Sequence, residues 1–340
     1  MDRKKIFICV LVTLLLCGCS ASNISKSDNQ LIYDIEQIGS YENMTADKIK
    51  IEVTNEEIQA EMQANLMPYS KTSEVKGRGV KKGDIVYLSY SATDDEGLTE
   101  ETECEIIVGD NDFDMRFEEE LIGKEAKKQY SFFIQYDNEC NYGNWKNKKI
   151  KFEVNIERIE ETVFPELTKA FLKKNFKMNT IEEYIQYIEK IVYDIKFEQN
   201  KKEITKRAMT EIIGNTTFGD SYNDRCETRI NEVLESYQKY ADLLGISLSD
   251  VLSGFNMTEK DIRDSAKYNE ACAQICQYII DKEELMPSDK EMEEMKQSYV
   301  EEYGYESIDD FIIDNGEQYL NECIYNIIGL DYIYENMNFN

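Results

Sequence analysis

Val80-Lys81-Lys82-Gly83-Asp84-Ile85-Val86-Tyr87-Leu88-Ser89-Tyr90-Ser91-Ala92-Thr93 is the stretch on which the fold turns. After Gly83-Asp84, side chains alternate with the two-residue period of a half-buried strand. Ile85, Tyr87 and Ser89 take one face; Val86, Leu88 and Tyr90 take the other. Two further β-rich runs follow, Thr102–Val108 and Gln129–Gln135, and a closing run places Phe152, Val154 and Ile156 on one face. Between the second and third runs, Phe117-Glu118-Glu119-Glu120-Leu121-Ile122-Gly123 reads as a single helical turn stopped by glycine. Four strands wrapped around one short helix predict a small antiparallel half-barrel over residues 80–161.

Outward from that stretch the pattern changes. Residues 162–340 read as helix almost throughout. Thr180-Ile181-Glu182-Glu183 forms a capping box before a stripe of Ile185, Ile188, Val192 and Ile195. Gly214 to Asp224 is a break. Ile230, Val233, Leu234, Tyr237, Ala241 and Leu244 form the next stripe, closed by Gly245. Thr258, Ser288 and Ser307 open further helices, and Gln318–Tyr334 is the last. On the other side, residues 31–79 hold a strand-like segment (Leu31–Ile51), a helix opened by the Thr54/Glu57 capping box and ended by Pro68, and a linker, Lys71–Val80. The fold class is therefore α+β, a small half-barrel joined to a mostly α-helical body.

The first 30 residues are not read as fold. Arg3-Lys4-Lys5, the apolar run Ile6–Leu16 and Leu16-Cys17-Gly18-Cys19 make residues 1–19 a secretory signal. About eleven apolar residues are too few to cross roughly 30 Å of hydrocarbon. The junction resembles a bacterial lipobox, in which the cysteine after the small residue carries the lipid; here that residue is Cys19. Residues 20–30 are a polar tether.

Composition removes several classes of function. The 340 residues carry a net charge of −29, a surface that repels nucleic acid and so predicts no nucleic-acid partner. No histidine is present, which excludes imidazole metal sites and Ser-His or Cys-His nucleophiles. No cofactor or metal is expected. Beyond the signal lie Cys104, Cys140, Cys226, Cys272, Cys276 and Cys323, with no dense disulfide spacing. Cys272 and Cys276 share a helical face and read as small buried apolar residues.

A family resemblance rests on the order of these motifs. Gly83-Asp84 before a strand, then Gly109, Phe117-Glu118, Leu121-Ile122-Gly123-Lys124, and finally Lys148 and Phe152-Glu153-Val154 resemble the FKBP-type prolyl isomerase domain of trigger factor. Val163-Phe164-Pro165-Glu166-Leu167 with Phe171 resembles the exit from that domain into the helical body. Ile38-Gly39-Ser40-Tyr41 and Ile51–Glu57 resemble the linker entering it. The resemblance covers roughly residues 32 to 335. It implies an FKBP-like half-barrel, a helical chaperone body with two arms around a cradle, and unfolded polypeptides as partners.

The resemblance also implies a prolyl site. Tyr90 matches the family's first-strand aromatic, Phe117 the aromatic at the pocket floor, and Phe152 that on the closing strand. Trp145 lies where the family has leucine. Tyr136 or Tyr142 stands for the tyrosine of the family's Phe-Pro-x-x-Tyr loop. The sequence departs from the family at Asp114-Met115-Arg116, which replaces Ile-Pro-Gly and puts charge at the pocket lip. A second departure is Glu100, near the position of an expected phenylalanine. The plainer account of the aromatics is barrel core. The family's ribosome-docking module has no counterpart in this reading, so no ribosome partner is expected.

Taken together, these readings predict a lipid-anchored, extracytoplasmic folding factor that binds unfolded chains, its barrel an active or relict prolyl isomerase. The alternatives are a non-catalytic holdase and a lipoprotein that binds one specific partner. Cys19→Ala is expected to move the protein from the membrane fraction to the soluble fraction. A variant that stays membrane-bound with its leader intact, beside a wild type carrying no lipid, refutes the lipid site.

Overall fold

Alternation is realised over the first half of Ile85–Thr93: Val86 and Leu88 are buried and Ile85, Tyr87 and Ser89 half-exposed, while Tyr90 to Thr93 are all half-buried. The computed structural model describes residues 31–340 except 49, 95, 96, 98, 112, 139 and 141–144, with the side chains of 99–101 also outside it. It divides into two compact units, Val53–Val192 and a second made of the segment up to Glu52 together with Tyr193–Asn340. Described residues before Val53 include two short strands, β1 (Ile35–Gln37) and β2 (Thr45–Ala46).

The unit Val53–Val192 opens with α1 (Asn55–Leu66). Its capping box forms as the spacing predicts: Glu57 N donates to Thr54 Oγ1 (3.2 Å) and Thr54 N donates to Glu57 Oε2 (2.8 Å). Pro68 falls in a 3₁₀ turn, Met67–Tyr69, directly after the helix. There follow β3 (Lys71–Glu74), β4 (Ile85–Thr93), β5 (Thr99–Ile107), α2 (Met115–Leu121), β6 (Lys128–Gln135) and β7 (Lys149–Val163).

The antiparallel sheet is ordered around β7. It pairs with β4 along its length, while its other edge is shared, β6 alongside Lys149–Ile156 and β3 alongside Glu160–Val163; β5 lies beyond β4. The sheet therefore has five strands where the sequence predicts four. The extra one, β3, lies in the stretch read as a linker. All four of its side chains are exposed, so it has no alternating pattern, and only its backbone pairing makes it a strand.

Inside the sheet, Val86, Leu88, Phe117, Leu121, Phe152 and Ile156 are all 2% exposed or less and form one core. Gly123 ends the α2 segment at φ +82°, and a Cβ on Gly79 would lie 2.2 Å from the Gly123 carbonyl oxygen. Two glycines let the strands' entry and the helix exit touch backbone to backbone, joined by Val80 N to Lys124 O and Gly123 N to Val80 O, both 2.8 Å.

After the sheet come α3 (Lys169–Asn175), capped by Thr168, and α4 (Ile181–Gly214), within which one unit ends and the other begins. The buried stripe at the start of α4 is Tyr184, Ile188 and Val192; Ile185 is exposed, contrary to the predicted stripe. The spacing is helical in both cases, but the phenol of Tyr184 finds Asn65 Oδ1 at 2.9 Å, which lets the larger ring take the core.

The second unit adds β8 (Thr217–Phe218), α5 (Tyr222–Leu244), α6 (Leu248–Gly254), α7 (Glu259–Lys282), α8 (Asp289–Glu302), α9 (Ile308–Asn315), α10 (Glu317–Glu335) and β9 (Asn338–Phe339). Leu244, predicted as core, is half-exposed at the end of α5. The strand-like segment Leu31–Ile51 is two separate pairings, β1 antiparallel to β8 and β2 parallel to β9. Its backbone is also held by α7, with Ile32 N donating to Gln277 Oε1 (2.7 Å) and Asp34 N to Gln274 Oε1 (2.8 Å).

At the centre, α7 packs against α5 and α10. Glu270 of α7 is 3% exposed and pairs with Arg225 (2.5 Å) and Arg229 (3.0 Å) of α5; Arg229 also reaches Glu322 of α10 at 2.8 Å. On α10, a Cβ at Gly329 would fall 2.6 Å from Cys276 Cβ, so glycine sets the approach of these two helices. Cys272 and Cys276 are buried thiols, and burial pushes Cys272 up to about 12 and Cys276 well above the ordinary thiol range, as expected of packing residues.

Burial alone would raise the Glu270 carboxyl, but the hydrogen bonds from Arg225 and Gln274 and the charge of Arg229 outweigh it and hold the group below its usual range. A depressed carboxyl contributes stability above its unfolded pKa of about 4.3 and loses it as the pH falls through the folded value. Glu270→Ala should cost about 3–5 kcal/mol by stranding buried arginine charge, measured from the loss of helical signal in urea. The wild-type advantage over the variant should shrink below about pH 4.3. A cost indistinguishable from zero at neutral pH contradicts this account.

Candidate functional site: an aromatic cluster in the half-barrel

The sheet and α2 bring aromatic rings together from four places in the chain. Phe117 of α2 and Phe152 of β7, both 0% exposed, lie with ring centroids 5.0 Å apart. Tyr90 of β4 sits 5.6 Å from Phe117 and 6.0 Å from Phe152. Trp145, before β7, meets Phe152 edge-on at 5.5 Å. Tyr90 and Trp145 are half-buried, so they form the accessible margin of a cluster whose base is sealed. The expected residues Tyr90, Phe117, Phe152 and Trp145 are thus neighbours. Tyr142, Cys19 and the side chain of Glu100 lie outside the described residues.

Three further rings complete the cluster, among them Tyr136, which the resemblance offers only as an alternative to Tyr142. Tyr136 follows β6, is 1% exposed and packs on Trp145 at 5.3 Å. Phe132 stacks on Phe152 at 5.7 Å. Phe113 lies 4.9 Å from Phe117 and 5.4 Å from Tyr90, half-buried at the margin. A signal for Phe113 was available: it directly precedes the helix cap, where an apolar residue folds back on the first turn.

That cap is Asp114. Its carboxylate accepts from Arg116 N (3.0 Å) and Phe117 N (3.2 Å), and Arg116 Nη2 lies 3.3 Å from it. Arg116 also spreads over the Tyr136 ring, 4.4 Å from its centroid. The charge expected at the pocket lip is therefore committed to capping the start of α2 and to a neighbouring guanidinium. It is not a stranded carboxylate facing the rings.

One turn on, Glu118 is 1% exposed and accepts from Gly109 N (2.7 Å), Asn111 N (3.2 Å) and Phe113 N (3.4 Å). It fixes the loop after β5 that carries Phe113 to the cluster. On the opposite side, Lys148 pairs with Asp94 at 2.7 Å, tying the end of β4 to the turn after Trp145. Beside Tyr90 of β4, the margin is built from loops, and ionic side chains hold those loops in place.

No family model matches this chain. A trigger factor of Finegoldia magna is 22% identical over 314 residues, covering 89% of this chain and 71% of that protein. A trigger factor of Caldicellulosiruptor bescii is 23% identical over 334 residues, covering 96% and 76%. One from Mesomycoplasma hyopneumoniae is 29% identical over 241 residues, 68% of this chain and 51% of that protein. The chain is similar to trigger factors over most of its length. A solved structure concerned with promiscuous substrate recognition in folding and assembly activities of the trigger factor chaperone covers 85% of this chain and 70% of its own, at 17% identity and a TM-score of 0.36. Similarity to trigger factors runs through both compact units, so the aromatic cluster and the helical unit fall within the matched region.

Among the described residues, the rings of the cluster come from Tyr90, Phe113, Phe117, Phe132, Tyr136, Trp145 and Phe152. The cluster offers apolar, aromatic surface with a buried base, suited to holding an apolar ring and stripping water from the amide beside it. Asp114→Ala should lower half-barrel stability by about 1 kcal/mol through loss of the cap. Asp114→Asn should retain most of it. Trp145 is the protein's only tryptophan, so its fluorescence during urea titration reads this unit directly. Equal stability for both variants would show that the cap does not hold α2.

Proposed function

We propose that this protein is a folding factor, held by a lipid on Cys19 at the extracytoplasmic face of the membrane, that binds unfolded polypeptides and turns their X-Pro bonds at the aromatic cluster. The observation that carries it is the similarity to trigger factors across 89–96% of the chain, which takes in both compact units. The basic and apolar leader before Cys19 supports the location.

The helical unit offers apolar surface for unfolded chains. Around the end of α5, Leu243 is 81% exposed, with Leu244, Ile246 and Tyr240 each at 45–50%, and Ile313 of α9 is 80% exposed. In the half-barrel, rotation about an X-Pro bond meets a barrier of about 18–20 kcal/mol set by amide resonance. Lowering it requires an environment that favours the twisted, less polar amide, which aromatic walls provide without proton transfer. Because Asp114 is occupied in capping α2 and pairing with Arg116, an entering prolyl ring would not have to desolvate a lone carboxylate there. That observation favours an active site over a relict one.

Two assays on the full-length chain separate the parts of this reading. It should delay aggregation of several chemically unfolded, unrelated proteins, and it should accelerate refolding limited by prolyl isomerisation. Trp145→Ala should lower the acceleration by one to two orders of magnitude, on the scale of about 1.4 kcal/mol of barrier per tenfold, while leaving aggregation suppression intact. No acceleration by wild type reduces the protein to a holdase. Failure to protect any client overturns the folding-factor reading itself.

A further inference from the structure

Arg116 is the departure from the family pattern that the proposed activity leaves unexplained. Asp114 is accounted for as the cap of α2, but a cap needs no guanidinium two residues on. Arg116 sits in the first turn of α2, directly before Phe117, and its side chain is 40% exposed. The guanidinium lies over the Tyr136 ring, and Tyr136 in turn packs on Trp145 at the accessible margin. One aromatic ring therefore separates a fixed cation from the surface that would receive a prolyl ring.

Its donors are unevenly used. Nε and Nη2 reach Asp114 at 3.4 and 3.3 Å, both long for charged partners. Nη1 is 3.8 Å from Asp137 Oδ2, beyond hydrogen-bond distance, and donates to nothing else among the described residues. Asp114 is 8% exposed and Arg116 40%, so the pair is a dipole with its negative end buried and its positive end at solvent. Asp137 is 68% exposed, and an ion pair so long and so exposed is weak. The other charges around the cluster are engaged nearby: Lys148 pairs with Asp94 at 2.7 Å, and buried Glu118 accepts from three backbone N–H groups. The net charge of −29 is spread over the whole chain, and charges beyond about 8 Å are largely screened at physiological salt. The field beside the rings is thus set by Arg116.

We propose that Arg116 selects X-Pro segments that carry aspartate or glutamate beside the proline, by donating from Nη1 to that carboxylate. The inference rests on the reading of the aromatic cluster as a prolyl site and adds which substrates it prefers. With the prolyl ring against Trp145, a neighbouring residue lies roughly 3.5 Å further along an extended chain. Its side chain carries the carboxylate across Tyr136 to the guanidinium. There it accepts the hydrogen bond that Asp137 is too distant to accept, and it displaces no buried partner. The guanidinium is planar and already seated on Tyr136, so little freedom is lost when its open edge is engaged. A lysine in the same place would meet a like charge.

The test uses the full-length chain and three peptides of equal length, in which proline is flanked on both sides by glutamate, glutamine or lysine. Protein-driven cis–trans exchange is read by NMR at physiological salt. The glutamate peptide should exchange about fivefold faster than the glutamine peptide, the scale of one exposed charge pair, and the lysine peptide should be slowest. Arg116→Gln should bring the glutamate-to-glutamine ratio to about one, and Arg116→Glu should reverse the order in favour of lysine. Trp145 fluorescence checks that the half-barrel stays folded in each variant. Asp137→Asn alters only an exposed side chain and should raise the ratio by about twofold, a result that decides the matter even if the Arg116 variants do not fold. A ratio of one in wild type, a ratio that survives Arg116→Gln in a folded variant, or an unchanged ratio in Asp137→Asn overturns the proposal. Any of these with the glutamine peptide still accelerated leaves the isomerase reading standing. Acceleration of none of the peptides overturns that reading and the preference with it.

Discussion

Removing one carboxylate from water organises the helical unit. Glu270 sits on the stretch of α7 where nearly every residue from Glu270 to Ile280 is buried, so the helix has no face to give to solvent. A lone charge there would be prohibitive. Arg225 and Arg229 must therefore come from α5, and Arg229 in turn recruits Glu322 from α10. Such a network adds little stability over an apolar core of the same shape, but it permits few alternative registers. The same helix spends Gln274 and Gln277 on the backbone of residues 32–34, so the first described strand segment is positioned by side chains far along the chain.

In the half-barrel the corresponding constraint is the sealed pair Phe117 and Phe152. Because neither ring touches solvent, the margin above them is set by Tyr90 of β4 and by what the loops deliver, namely Phe113 and Trp145. Glu118 and the Lys148–Asp94 pair hold those loops through buried polar contacts. An apolar recognition surface is thus kept in shape by charge.

How much of this could be read from the sequence depended on whether side chains or backbone carried the information. The first half of strand β4 is legible because Val86 and Leu88 are buried between half-exposed neighbours. Strand β3 is illegible because Lys71, Thr72, Ser73 and Glu74 are all exposed and its register is held by hydrogen bonds alone. Tyr184 and Ile185 show a subtler limit. Hydropathy favours isoleucine for the interior, yet the helix turns tyrosine inward because Asn65 satisfies its hydroxyl. Asp114 reads as an intruding charge when compared with a family pattern and as a helix cap when read for its own chemistry. The second reading is available from an acidic residue three positions before a short helical turn's aromatic, and it requires giving local capping priority over the alignment.

The pairing of Thr45–Ala46 with Asn338–Phe339 has a consequence for how the chain acquires its structure. The helical unit contains both the segment up to Glu52 and the residues from Tyr193 onward, so its first strands wait for its last ones. Contacts spanning nearly three hundred positions close slowly, because a long loop must be ordered before any of them is gained. The intervening unit has no such delay, since β3 to β7 lie within one continuous run of sequence. As the polypeptide is made from its amino end, the half-barrel is complete while the surrounding unit is still missing α5 to α10. During that interval, residues 31–46 have neither Gln274 nor Phe339 to bind, and their edges are unpaired. A protein read as a guardian of unfinished chains therefore passes through a prolonged unfinished state of its own.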